Sequence, residues 1–104
     1  EGEASADILY QDESITAFHD QNPQAPTHVL VIPNRHIASL GEASKSDSGL
    51  LGDLLLTVKR LAQRLDLEDA GYRVVINTGL QAGQSVMHLH VHLLGGRRLS
   101  WPPG

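Results

Sequence analysis

The sequence contains no cysteine. A disulfide framework and a thiolate zinc site are therefore excluded. Aromatic residues are scarce, with one Trp, two Tyr and one Phe among 104 residues, so aliphatic side chains must build the core. No apolar run approaches the length of a membrane span, and no secretory signal is visible. Positive charge is also in short supply. Eight Lys+Arg stand against 12 Asp+Glu, for a net charge of -4. That balance disfavours non-specific binding to nucleic acid, which needs a basic surface. An anionic ligand would have to be held by local donors against the overall field. What remains is an ordinary globular composition, 40% hydrophobic and 19% charged, of a length that suits one domain over 1–104. The expectation is a soluble cytoplasmic protein with neither a membrane nor a nucleic-acid partner.

Patterning predicts five strands and one long helix. Residues Glu1 to Ala6 are small and polar and are expected to fray. Asp7–Gln11 and Ile15–His19 read as a hairpin, with Asp12-Glu13-Ser14 as its loop. Asp20–Pro26 carries two prolines and must be loop. Thr27–Pro33 is apolar and β-branched, the third strand. Arg35–Ala43 is expected to hold a single helical turn. Over Asp47–Leu67, the residues Leu50, Leu51, Leu54, Leu55, Val58, Leu61, Ala62 and Leu65 follow a helical stripe that reads wholly as core. Each aliphatic side chain fully buried there would contribute roughly 1.5–3 kcal/mol. Gly71 is the expected left-handed terminator. Tyr72–Thr78 and Val86–Leu94 read as the fourth and fifth strands, joined by the glycine turn 79–85. Arg97–Gly104 is an extended tail. The fold class is α+β, an antiparallel sheet covered on one side by the helix.

The stretch His88-Leu89-His90-Val91-His92 carries the chemistry. Alternation with a period of two puts the three histidines on one face of an extended chain, roughly 6.5–7 Å apart at Cα. Core packing has no use for three adjacent imidazoles that each need hydrogen-bond partners. They could converge on a metal ion, since neutral imidazole ligates zinc. Cysteine is absent, however, and no carboxylate that could orient a ligating ring occurs after Asp69. Zinc is therefore possible but not expected to be required.

They could instead converge on a phosphoryl group, and the neighbourhood suits that reading better. Gly83, Gln84 and Ser85 immediately precede the histidines. A glycine turn with free backbone N–H groups and a hydroxyl makes an anion-binding concavity. Asn77 ends the preceding strand, with a neutral amide donor. An imidazole can attack phosphorus through an unprotonated nitrogen. Its other nitrogen must then hold the proton and donate it to a fixed acceptor, often a backbone carbonyl.

The segment from Ser85 to Arg97 resembles the histidine-triad motif, His-x-His-x-His with apolar residues between. Phe18-His19-Asp20, Pro23 to His28, Val31-Ile32-Pro33, Gly71-Tyr72-Arg73, Asn77 and Trp101-Pro102-Pro103-Gly104 extend the likeness. Together they resemble the histidine-triad nucleotide-binding (Hint) branch of that superfamily. The resemblance implies a five-stranded antiparallel sheet with one long helix and a short helix, continued across a homodimer. The long helix and the fourth strand would form the dimer surface.

The resemblance further implies a purine nucleoside phosphoramidase that cleaves P–N bonds of AMP- or GMP-linked amines without a metal. By residue-to-residue carry-over, His90 is the nucleophile and forms a nucleotidyl-histidine intermediate. His88 and His92 flank it, and His28 is the fourth histidine of the site. Asn77 and Ser85, with the backbone at Gly83 and Gln84, contact the phosphate. Asp20 holds the ribose hydroxyls, Phe18 and His19 line the nucleoside pocket, and Trp101 reaches toward the partner's site. Ala4 and Ser5 stand where the resemblance implies an Ile-Pro pair, and Gln21 where an aliphatic residue often follows Asp20, and these departures bear on base preference. Two other functions compete: a non-catalytic purine nucleotide-binding or interaction protein, and a zinc-binding protein.

Overall fold

A computed structural model describes residues 8–104. The expected fraying of 1–6, the start of the first strand at Asp7, and Ala4 and Ser5 lie outside the described residues. The strands are β1 (Ile8–Gln11), β2 (Ile15–His19), β3 (Thr27–Pro33), β4 (Tyr72–Val75) and β5 (Val91–Gly95). They form one antiparallel sheet in the order β1-β2-β3-β5-β4. The helix α1 (Ser48–Arg64) covers one face. Short 3₁₀ turns occupy Leu40–Glu42, Lys45–Asp47 and Leu80–Ala82. The first of these is the single turn expected within Arg35–Ala43. The α+β class and the five-stranded antiparallel sheet are as the patterning predicts. No described helix is long and apolar enough to cross a membrane.

Strand register divides the sheet into two faces. Ile15 pairs with Pro33, Ala17 with Val31, Val29 with Leu93, and Val31 with Val91. These residues point toward α1 and are buried together with Leu54, Val58, Leu61 and Ala62. Successive residues of a strand alternate sides. The opposite face therefore carries Phe18, His28, Leu30, His92 and Leu94, aligned by the pairs Phe18–Leu30, Leu30–His92 and His28–Leu94.

Three boundaries differ from expectation, each for a local reason. Helix α1 stops at Arg64, and the left-handed residue that ends it is Asp66, at φ 59°, rather than Gly71. Asp tolerates that conformation better than most side chains. It lets the Leu67 N–H reach back to the Ala62 carbonyl and buries Leu67 against the sheet. Leu55 belongs to the predicted core stripe yet is 50% exposed. It borders an apolar hollow with Leu40, Leu51, Ile76 and Leu89. Strand β4 ends at Val75 instead of Thr78, and β5 begins at Val91 instead of Val86. The register with β3 would set Leu89 opposite Pro33, which has no N–H to extend the ladder. Leu89 instead donates its N–H to the Ile37 carbonyl at 2.6 Å.

Candidate active site

His88 and His90 therefore precede β5, and only His92 lies on the strand. The three rings do not share one neighbourhood. His90 and His92 stand edge to face, 5.0 Å between ring centres, and His28 of β3 lies 5.1 Å from His92. The His88 ring turns the other way, toward His36, 5.2 Å between centres. The expectation of one converging triplet is corrected in this respect. His28, rather than His88, is the further ring that packs against His92.

Backbone groups dictate the protonation of these rings. The His90 Nδ1 lies 2.7 Å from the His88 carbonyl. A carbonyl only accepts, so Nδ1 carries the proton and Nε2 keeps its lone pair. At the other end, the Gln24 N–H donates to His28 Nδ1 at 3.0 Å. His28 must then hold its proton on Nε2, which lies 2.9 Å from His92 Nδ1. His92 accepts there and carries its own proton on Nε2. That Nε2 is buried and has no partner among the described residues. One ring thus offers an electron pair and its neighbour an N–H donor.

Burial pushes the pKa of His28 below 6.5, partly opposed by Asp20. Burial also lowers His92, and the neighbouring His90 and His28 rings add to the effect. These downward shifts agree with the neutral rings that the Gln24–His28–His92 chain of hydrogen bonds requires. The Asp20 carboxylate accepts the Asn22 N–H and approaches His28 Nε2 to 3.4 Å. Asp20, His28 and His92 form the one grouping among the described residues whose ligand atoms lie close enough to share a metal ion, within 4.8 Å of one another. A metal there would have to replace the hydrogen bond between the two histidines.

Comparison with known proteins places this geometry. A HIT domain family model matches residues 1–99. The chain belongs to the HIT domain family. It is 58% identical to an uncharacterized HIT-like protein of Synechococcus elongatus, over 98% of this chain and 89% of that one. A crystal structure of a HIT family hydrolase from Legionella pneumophila superposes with a TM-score of 0.96 at 48% identity, covering 99% of this chain and 92% of that one. A histidine triad nucleotide-binding protein from Candida albicans gives 0.79 at 34% identity, covering 97% and 77%.

The remaining candidate residues of this HIT domain are distributed as follows. Phe18 and His19 end β2 and are half-buried. Asn77 follows β4 and is half-buried, and Ser85 is exposed just before the histidines. The amides of Gly83 and Gln84 are not free, as the turn was expected to leave them. They donate to the Leu80 and Gly79 carbonyls. Gly83 sits at φ 87°, which closes this turn. The buried Gln84 side chain accepts the Gly79 N–H and donates to the Ala38 and Val86 carbonyls. Its visible work is to shape the loop. Trp101 is 78% exposed, with the Arg73 guanidinium 5.7 Å over its ring. Arg73 also donates to the Ser100 carbonyl at 2.8 Å and so ties the tail to β4.

The groups that sequence reasoning missed are mostly main-chain. The Gln24 N–H and the His88 carbonyl set the tautomers, and no residue type announces them. His36 was the missed side chain. It is a lone histidine in a loop, and only its contact with His88 distinguishes it.

Proposed function

We propose that this HIT domain is a purine nucleoside phosphoramidase of the Hint branch, with His90 as nucleophile. The observation that carries the reading is the pairing of opposite tautomers, an Nε2 lone pair on His90 beside a buried, unpartnered Nε2–H on His92. The hydrolase and nucleotide-binding names of the relatives agree with it. So does the Trp101-Pro102-Pro103-Gly104 ending.

In this reading His90 Nε2 attacks phosphorus, and the P–N bond breaks. The departing nitrogen keeps the bonding pair and leaves as an amine protonated from solvent, while the neutral His92 keeps its Nε2–H and donates it as a hydrogen bond to a phosphoryl oxygen. Water then adds to phosphorus, expels His90 with its Nε2 lone pair restored, and releases its proton to solvent. Ser85 and Asn77 stabilise the phosphoryl oxygens as preorganised donors. Asp20 receives the ribose hydroxyls, and Phe18 and His19 border the nucleoside. No metal is needed for these steps. A homodimer formed along β4 accompanies the reading. That edge strand exposes Tyr72 at 37% and Val74 at 38%, and Leu55 of α1 is 50% exposed. Light scattering of the purified protein tests the dimer.

Steady-state hydrolysis of adenosine 5'-phosphoramidate tests the chemistry. Wild type turns it over, and His90→Asn loses roughly 10³-fold or more in kcat. Wild type that binds AMP but is inactive on every purine phosphoramidate would make the protein a nucleotide-binding module. Activity that is abolished by a strong chelator and restored by zinc would overturn the metal-free chemistry.

A further inference from the structure

Outside the reactive pair, a second histidine pair has a fixed order of donors. His88 Nε2 lies 2.9 Å from the Pro33 carbonyl. That carbonyl accepts, so His88 carries its proton on Nε2 and presents a lone pair at Nδ1. His36 Nδ1 lies 3.2 Å away and must be the donor. The adjoining residues grip the same loop. The Ile37 carbonyl accepts the Leu89 N–H, and the Ala38 carbonyl accepts the Gln84 side chain. Three consecutive residues after β3 thus hold the segment that leads to His90. The His88 peptide at its centre supplies the carbonyl that fixes the His90 tautomer.

We propose that His36 is a positioning residue for His90, acting through the His88 ring to fix the peptide that keeps the His90 Nε2 lone pair free. The proposal rests on His90 being the nucleophile, the reading given above. The His36 ring is exposed and belongs to no core cluster. Its role is therefore separable from folding. Without the His36 donor, His88 Nδ1 loses its partner. The Pro33 carbonyl still favours the Nε2–H tautomer of His88, but the ring is then anchored through one nitrogen only. The His88 peptide gains freedom, and the His90 Nδ1–H loses a stationary acceptor.

The test compares wild type, His36→Ala and His36→Asn. Asn places an amide N–H near the position of Nδ1 and should restore the bond. Two readouts are needed. Long-range ¹H–¹⁵N NMR of the free protein reports the His90 tautomer and requires no substrate. In wild type and His36→Asn it shows Nδ1–H alone, whereas His36→Ala shows exchange between both forms. With adenosine 5'-phosphoramidate, His36→Ala lowers kcat roughly three- to tenfold with KM unchanged, and His36→Asn recovers most of the loss. An unchanged His90 tautomer in His36→Ala overturns the proposal, as does a loss that appears in KM alone. If wild type shows no turnover, the phosphoramidase reading fails while the NMR comparison still decides the role of His36.

Discussion

His28 makes two hydrogen bonds with separate consequences, and two substitutions can divide them. Nδ1 accepts the Gln24 N–H at 3.0 Å, and Nε2 donates to His92 Nδ1 at 2.9 Å. In His28→Asn the amide oxygen can stand where Nδ1 was and keep the Gln24 bond, but the shorter side chain falls short of His92. In His28→Gln the longer amide can keep an N–H on His92 and gives up the Gln24 acceptor. His28 is only 5% exposed, so each lost bond leaves a sheltered group without a partner, at a cost of about 1–3 kcal/mol.

Both variants should therefore lose similar stability by urea denaturation, about 1–3 kcal/mol each. His28→Ala loses both bonds and the ring volume and should cost about 3–5 kcal/mol. Activity should separate the first two. His28→Asn frees the His92 tautomer and lowers kcat by roughly 10- to 100-fold. His28→Gln retains the donor to His92 and should stay within roughly fivefold of wild type. The reasoning is refuted if His28→Gln is as inactive as His28→Asn while equally stable. It is also refuted if NMR shows His92 Nε2–H fully retained in His28→Asn.

Three other outcomes follow from the same structure. Gln84→Leu removes the acceptor for the Gly79 N–H and the donor to two carbonyls. It should cost about 1–3 kcal/mol in urea denaturation and raise KM for a phosphoramidate by loosening the loop before Ser85. Stability should also depend on pH through His28 and His92. Both have folded pKa values below 6.5, so the unfolded chain binds their protons first. Their contribution is complete above the unfolded value and falls as the pH drops through 6.5 toward the folded values. Denaturation midpoints measured across that range should decline toward acid, and less steeply in His28→Asn. Finally, Gly96→Ala meets both a positive φ of 93° and the rigid Pro26 ring, with the new Cβ 2.9 Å from Pro26 Cβ. It should cost about 2 kcal/mol or more by denaturation. Gly83→Ala has a similar φ but open space and should cost about half as much.

Much of the fold was legible because periodicity reports burial. The apolar, β-branched run of Thr27–Pro33 and the helical stripe ahead of Leu67 each marked an element, and both formed, the helix ending at Arg64. The histidine stretch shows where that logic ends. A period of two describes an extended chain, but a ladder also needs a partner. Pro33 removes that partner before His90 is reached. The His88 ring could then rotate toward His36, which the spacing did not foretell. The half-exposed Leu55 deceived for a related reason. Its place in the stripe is correct, but the described residues leave half of its surface uncovered. The protonation order of the site was legible only as a requirement, since the groups that enforce it belong to the main chain.

Strand β5 has a double allegiance. Val91 and Leu93 are locked into the interior, at 1% and 0% exposure, while His92 between them looks outward from the same backbone. Any change that thins the interior beneath that strand will also shift the aim of the imidazole above it. Catalytic precision and thermal resilience should therefore rise and fall together when this interior is redesigned.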